Sequence, residues 1–131
     1  MSPQLRAAGR RRYVSLTTFR RTGLGVATAV WVAPVEDALV VVTGAATGKA
    51  KRLRNDPRVE LRECTVSGKV RPGAPVVEGR VELVTDEAEQ ERLLAGHAAK
   101  YGLQFRLYRA IGRLLEREDG PGEVVLRITD R

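Results

Sequence analysis

The chain has 131 residues, 43% of them hydrophobic, which is the length of one domain with enough apolar side chains for a normal core. A single cysteine, Cys64, and a single histidine, His97, exclude an internal disulfide, a cysteine-based metal cluster and a multi-histidine metal site. The formal charge of +7 suits an anionic partner of any kind, and it serves solubility equally well. We expect a cytoplasmic protein, because no apolar run approaches the roughly 20 residues of a membrane span and the basic N-terminus lacks the apolar core of a signal peptide.

The first third of the chain has the pattern of short β-strands joined by turns. Residues 1–12 are expected to form an arm, flexible or partly helical, and Arg20–Leu24 forms a turn around Gly23. Pro34–Asp37 is predicted to be a hairpin connection. The strands predicted on either side of these turns are Tyr13–Phe19, Val26–Ala33 and Leu39–Thr43.

The rest of the chain alternates between helical and extended patterns. Helices are predicted over Thr47–Arg54, over a segment that begins at the N-cap Asp86 and ends near Lys100, and over Leu103–Leu115. Strands are predicted over Val59–Cys64, Val76–Val84 and Val124–Ile128. The total is six strands and three helices in one domain, 1–131. Because consecutive strands are mostly too close for parallel crossovers, we expect a mainly β, antiparallel barrel with helices at its edge.

The segment VVVTGAATGKAKRLR, from Val40 to Arg54, resembles an ATP-binding phosphate loop but fails its requirements. Gly44 and Gly48 enclose three residues where that motif has four, and Ala50 stands where a magnesium-binding Ser or Thr is needed. An ATP-binding loop also belongs to a parallel βαβ sheet, which the strand spacing disfavours. ATP hydrolysis is therefore excluded as an interpretation of this segment.

The same segment retains the features of a simpler anion site. A strand leads to Thr43, and a helix begins near Thr47 with free N–H groups and the positive end of its dipole. Lys49 adds a charge, and Lys51, Arg52 and Arg54 add a basic rim. The residues alone favour equally an alternative in which Thr47 is an ordinary N-cap and the basic side chains are a solvated face.

The order of several segments resembles the pyridoxamine 5′-phosphate oxidase-like superfamily, and most closely its short branch of deazaflavin-dependent oxidoreductases. The resemblance covers about Tyr13 to Arg131, and its most specific part is Thr43–Val59. The segments that carry it are YVSLTTFRRTG, ATAVWVAP, VVVTGAATGKAKRLRNDPRVELREC, VVEGRVELVTD and AAKYGLQFRL.

This resemblance implies a split β-barrel that forms a homodimer, with a cofactor in a groove at the dimer interface. The family's phosphate-binding positions correspond here to Thr43, Thr47, Gly48 and Lys49, and more weakly to Lys51 and Arg54. The strand beside the flavin or deazaflavin ring corresponds to Thr28, Ala29, Val30 and Trp31. Lys100 and Tyr101 match a KYG signature of the branch, for which helix-end packing is the simplest explanation.

The cofactor implied is the deazaflavin F420, with FMN as the alternative. F420 carries an oligoglutamate tail, which a basic path could bind; the arginines and lysine that could line it are Arg10, Arg11, Arg12, Arg20, Arg21, Lys51, Arg52 and Arg54. The implied function is hydride transfer between the reduced deazaflavin and a small organic acceptor. Vitamin B6 oxidation is disfavoured, because the sequence is shorter than pyridoxamine phosphate oxidase and lacks its C-terminal substrate-binding Arg and His.

Other functions remain open at this point. The same fold could be a non-catalytic carrier or sensor of flavin or F420, and the sequence does not rank a proton donor among Tyr13, Tyr101 and Tyr108. His97 lies on a helix of mixed polarity and is expected at the surface or an interface, and Cys64 is expected to be a core thiol. A nucleic-acid-binding barrel fits the charge but not the 5% aromatic content, so no nucleic acid or membrane partner is expected.

Overall fold

The strands of the computed structural model form one curled antiparallel sheet. The structure describes residues 1–44, 47–102 and 123–131. The helices are α1 (Pro3–Gly9), α2 (Gly48–Asn55) and α3 (Glu87–Tyr101), and the strands are β1 (Tyr13–Phe19), β2 (Gly25–Trp31), β3 (Ala33–Val35), β4 (Ala38–Gly44), β5 (Arg58–Glu63), β6 (Val77–Val84) and β7 (Glu123–Asp130). The predicted helix over Leu103–Leu115 lies outside the described residues.

Strand order in the sheet is β2-β1-β5-β6-β7-β4-β3, and every neighbouring pair is antiparallel. The β1–β2 hairpin pairs Tyr13 with Trp31 and Phe19 with Gly25 across the turn around Gly23. That glycine has φ of +89°, a conformation that L side chains rarely adopt. The curl of the sheet brings β2, the first strand in this order, into contact with β4, the sixth.

The core lies inside the curl and follows the alternation of the strands. Leu16, Leu39, Leu61, Leu126 and Ile128 are all fully buried, and each comes from a different strand except the last two. Helix α1 closes one part of this core with Leu5, and α2 contributes Ala50 and Leu53 to the same cluster. On β1 and β2, the side chains that alternate with the core residues point away from the core. They form the outer face of the hairpin, which is left for other contacts.

Helices α2 and α3 begin where local capping rules place them. The Thr47 side chain accepts a hydrogen bond from the Ala50 N–H, and the Asp86 side chain accepts one from the Glu89 N–H. Helix α3 ends at Tyr101, and its C-cap residue is Gly102, whose φ is +60°. None of the described helices is long and apolar enough to cross a membrane.

The predicted mainly β, antiparallel barrel with flanking helices is confirmed, with seven strands in place of six. The additional strand arises because the predicted strand Val26–Ala33 breaks at Val32, and Ala33–Val35 then pairs with β4. Pro34 is tolerated there because β3 is at the sheet edge, where a missing N–H costs no ladder bond. Cys64 lies just beyond β5 and is only half-buried, so the expectation of a core thiol was wrong.

Candidate cofactor-binding site

A cleft of about 230 Å³ opens between β2, β4, α2 and α3. It brings the predicted ring strand and the predicted phosphate segment to one place, because β2 and β4 meet across the curl of the sheet. The lining residues are Tyr13, Ala29, Val30, Trp31, Val42, Thr43, Lys49, Val66 and His97. Five of these nine were candidate site residues from the sequence, and Tyr13 was a candidate proton donor.

One end of the cleft is the start of α2, where the hydroxyls are organised by bonds within the chain. Thr47 Oγ1 donates to the Gly44 carbonyl at 2.9 Å and accepts from the Ala50 N–H at 3.3 Å. Since its one proton is used in this way, Thr43 Oγ1 is the donor in the 3.3 Å contact between the two threonines. Thr47 therefore shapes the loop and caps the helix. The donors left for an anion are the first N–H groups of α2 and the Lys49 ammonium.

Lys49 is half-buried at the cleft. Burial, and then the positive charge of Arg52, lower the pKa of Lys49. No carboxylate within the three described segments forms an ion pair with it. The start of α2 thus gathers positive charge, and an anion in the cleft would offset the cost of burying the Lys49 ammonium and its repulsion from Arg52.

The four predicted ring-strand residues differ in their exposure. Ala29 is exposed, Trp31 is partly buried, and both are on the outer face of the β1–β2 hairpin; Val30 is buried in the core and also reaches the cleft wall. Thr28 does not line the cleft, and its buried Oγ1 has no hydrogen-bond partner among the described residues.

Two of the predicted basic residues do not reach this cleft. Lys51 is exposed and lines a separate basic cleft of about 280 Å³ with Arg20, Arg21 and Arg52. Arg54 is exposed in the last turn of α2, away from the helix start. Gly48, the first residue of α2, is exposed and does not line the cleft either.

His97 is the site residue that sequence reasoning missed, since a position at the surface or an interface was expected. It is 1% exposed, and its Nε2 lies 3.3 Å from the Trp31 carbonyl oxygen. Its ring stacks on Tyr101 with a centroid distance of 4.9 Å, and Tyr101 stacks on Trp31 at 5.3 Å. A usable signal was Gly96: a Cβ atom there would lie 2.6 Å from Val35 Cγ2, so α3 packs closely on β3 at this turn.

Lys100 and Tyr101 have an observable structural role at the end of β2. Lys100 Nζ donates to the carbonyls of Gly9 at 2.8 Å, Arg11 at 2.5 Å and Val32 at 2.6 Å. Tyr101 Oη lies 2.5 Å from the same Val32 carbonyl. We call these two side chains the α3 clamp, because they tie α1 and the β2–β3 junction to α3.

The pKa values of both side chains of the α3 clamp are shifted. Burial and the neighbouring Arg12 lower the pKa of Lys100 to about 8, and burial raises the pKa of Tyr101 to about 12. Tyr101 therefore remains a neutral donor at physiological pH, engaged with backbone carbonyls. Tyr108, the third tyrosine proposed as a proton donor, lies outside the described residues.

The fold and cleft define a class of protein: an antiparallel split barrel that holds a cationic helix start against a β-strand. The family described as pyridoxamine 5′-phosphate oxidase matches residues 1–129, and the chain belongs to this family of flavin-binding, oxidoreductase-like proteins. No curated protein sequence matches the chain.

Solved structures share the fold at low sequence identity. A conserved hypothetical protein from Mycobacterium tuberculosis is 23% identical, with a TM-score of 0.67 over 100% of this chain and 81% of that one. A structure described as an F420 reductase is 20% identical, with a TM-score of 0.58 over 100% of this chain and 96% of that one. The heme storage protein from Vibrio cholerae is 14% identical, with a TM-score of 0.66 over 99% and 89%. At these identities the similarities show a shared fold.

Proposed function

We propose that the chain is an oxidoreductase that binds a phosphorylated flavin-type cofactor in this cleft, with F420 favoured and FMN as the alternative. The observation that carries the proposal is the meeting of β2 with the start of α2 in one cleft. In this arrangement a ring would lie along Ala29 to Trp31, and its phosphate would be held near Lys49. Membership of a flavin-binding family supports the same choice.

The donor set at the start of α2 fits a phosphate group. A phosphate accepts hydrogen bonds and carries negative charge, so it suits backbone N–H groups at a helix start and a lysine. Thr43 and Thr47 hold the loop that presents these donors. Gly48 leaves room for the Arg52 guanidinium group beside the first turn of the helix.

The bound ring would supply the hydride chemistry, and the chain would bind, orient and shield it. Trp31 would hold the ring edge on one side, with the stacked Tyr101 and His97 behind it. His97 Nε2 contacts the Trp31 carbonyl, which fixes the position of β2 in the cleft wall. A small organic acceptor would then occupy the remaining space against the ring.

We also propose a homodimer with the cofactor at the interface. Val66, which lines the cleft, is 69% exposed. An apolar side chain of this exposure at the wall of the cleft is suited to cover by a second copy. The measurement is the molar mass in solution with and without FMN; a monomer that binds FMN tightly would refute the interface role.

F420 is favoured because the basic cleft next to α2 could take its oligoglutamate tail. Arg20, Arg21, Lys51 and Arg52 line this cleft, which is four of the eight basic residues that the sequence offered as a tail path. Arg11 is engaged elsewhere, in a 3.0 Å ion pair with Glu63. Arg12 lies over the Tyr101 ring.

The test is a fluorescence titration with FMN, F420 and riboflavin, followed by turnover of reduced F420 with quinone, unsaturated ketone and nitro acceptors. Lys49→Ala should weaken binding of FMN and F420 by about 1–3 kcal/mol, the range of a lost charge-assisted bond, with little effect on folding. Lys69→Ala, a change at an exposed lysine of the β5–β6 loop, is the matched control. Equal binding by Lys49→Ala and the wild type would refute the phosphate site.

Other results of the same experiment would assign the alternative functions. Tight binding without oxidation of the reduced cofactor by any acceptor would indicate a carrier or sensor. Salt-dependent binding of a labelled oligonucleotide, with no cofactor bound, would indicate a nucleic-acid-binding barrel.

A further inference from the structure

The guanidinium group of Arg52 lies beside the first residue of α2. A Cβ atom at Gly48 would be 2.8 Å from Arg52 Nη1 and 3.5 Å from Arg52 Cζ. Residues four apart share one face of a helix, so the Arg52 side chain runs back along α2 to its start. Glycine at position 48 is therefore what leaves room for this group.

The Arg52 side chain is also anchored. Its Nε donates to Thr18 Oγ1 at 2.6 Å, and Thr18 is fully buried on β1. The bond uses the inner edge of the guanidinium and leaves the two terminal nitrogens to point along the helix. A fixed guanidinium with two available nitrogens is suited to bidentate contact with a phosphate or carboxylate.

This position is electrostatically unfavourable for a cation in the absence of a ligand. The start of a helix carries a partial positive charge, and Lys49 is close enough for Arg52 to contribute to its lowered pKa. In the described segments Arg52 forms no ion pair with any carboxylate. A part-buried hydrogen bond to Thr18 thus holds Arg52 beside Lys49 at one helix start, an arrangement that an anion would stabilise.

We infer that Arg52 is the second cation of the anion site at the start of α2, where it binds the phosphate group together with Lys49, and that Gly48 is required because a side chain there displaces it. The inference rests on the proposed function in its choice of a phosphorylated cofactor as ligand. Arg52 also lines the basic cleft proposed for the F420 tail, so FMN and riboflavin, which carry no such tail, are the ligands that isolate its contact with the phosphate. Arg52, and neither Lys51 nor Arg54, is then the specificity residue for phosphorylated over unphosphorylated ligands. Free inorganic phosphate shares the same chemistry and serves as a separate probe.

The first test compares FMN with riboflavin, which differ by the phosphate group. Arg52→Ala should raise the dissociation constant for FMN by about 10- to 100-fold and leave that for riboflavin within about twofold. Arg54→Ala, a matched arginine on the far turn of α2, should leave both within about twofold. Equal loss of FMN and riboflavin in Arg52→Ala would overturn the inference, because it would indicate a general defect of the cleft.

The second test is a double-mutant cycle, and a nonspecific charge effect would not give its expected result. Gly48→Ala should weaken FMN binding in the wild-type background, because its methyl group displaces Arg52, and should have no further effect in the Arg52→Ala background. Additive effects would overturn the inference. Urea unfolding of each variant checks that the chain still folds, and a helix-start alanine is compatible with the α2 backbone.

Inorganic phosphate separates this inference from the proposed function. If phosphate raises the melting temperature of the wild type and of Arg54→Ala but not of Arg52→Ala, the inference stands even when no flavin binds. If FMN binds with an affinity that is independent of Arg52, the proposed function stands and the inference fails. If neither phosphate nor FMN stabilises the wild type, both fail.

Discussion

Lys100→Met removes the ammonium group of the α3 clamp while it keeps most of the apolar stem. At pH 6.5 the ammonium is charged, since the pKa of Lys100 is about 8. The carbonyls of Gly9 and Arg11 lose the donor that the structure describes for them, whereas the Val32 carbonyl keeps Tyr101 Oη at 2.5 Å. Lys100→Met therefore loses two charge-assisted bonds, and water can replace the donor at the exposed Arg11 carbonyl. We expect the free energy of unfolding to fall by about 2 kcal/mol.

The assay is urea unfolding at pH 6.5 with fluorescence of Trp31, which stacks directly on Tyr101. The midpoint should fall with an unchanged m-value, because the buried surface is nearly the same. Tyr101→Phe alone should cost about 1 kcal/mol, because its one hydroxyl proton, shared between the Val32 and Arg12 carbonyls, is lost while Lys100 still donates to Val32. The double variant should lose more than the sum of the two, because only then is the Val32 carbonyl without a donor. A loss below about 0.5 kcal/mol in Lys100→Met would refute this role for the clamp.

Two further predictions concern α3 packing and the acid side of the pH profile. Gly96→Ala should destabilise the chain by about 1–3 kcal/mol, because its methyl group would lie 2.6 Å from Val35 Cγ2; thermal unfolding of Gly96→Ala with Val35→Ala should show partial rescue, and strict additivity would contradict the contact. The side chain and backbone N–H of Arg58 lower the pKa of Asp56 to about 2, so this carboxylate contributes stability above about pH 4 that is lost as pH falls towards 2. Asp56→Asn should therefore flatten the stability profile between these values, and an unchanged profile in urea unfolding would refute the assignment.

Features set by a few neighbouring residues could be predicted from the sequence. The strands alternate between core and surface as their residues do, and the caps at Thr47 and Asp86 use side chains three residues from the amides they bind. Such interactions depend on backbone geometry within one turn, so the pattern of residue types carries them. Most predicted strand ends differ from the observed ones by only one or two residues. The larger difference, the break at Val32, depends on pairing with β4 at the sheet edge.

Two features of the site could not be predicted, because they depend on contacts between distant segments. His97 has the sequence surroundings of a surface helix, and it is buried only because Gly96 lets α3 approach β3. Arg52 has the pattern of a solvated basic residue, and it reaches the start of α2 because Thr18, 34 positions earlier, bonds to its Nε. Neither contact leaves a periodic trace in the sequence.

The sequence by itself determined a mainly β chain, the position of a basic helix start after β4, and the mismatch of this segment with an ATP-binding loop. Only the tertiary structure decided that this helix start, which follows β4, shares a cleft with β2. In the sheet order β2 is first and β4 is sixth. The physical reason is the curl of the sheet, which results from the burial of side chains from six of the seven strands, all but β3, in one interior. The curl closes the distance between strands that share no backbone hydrogen bond.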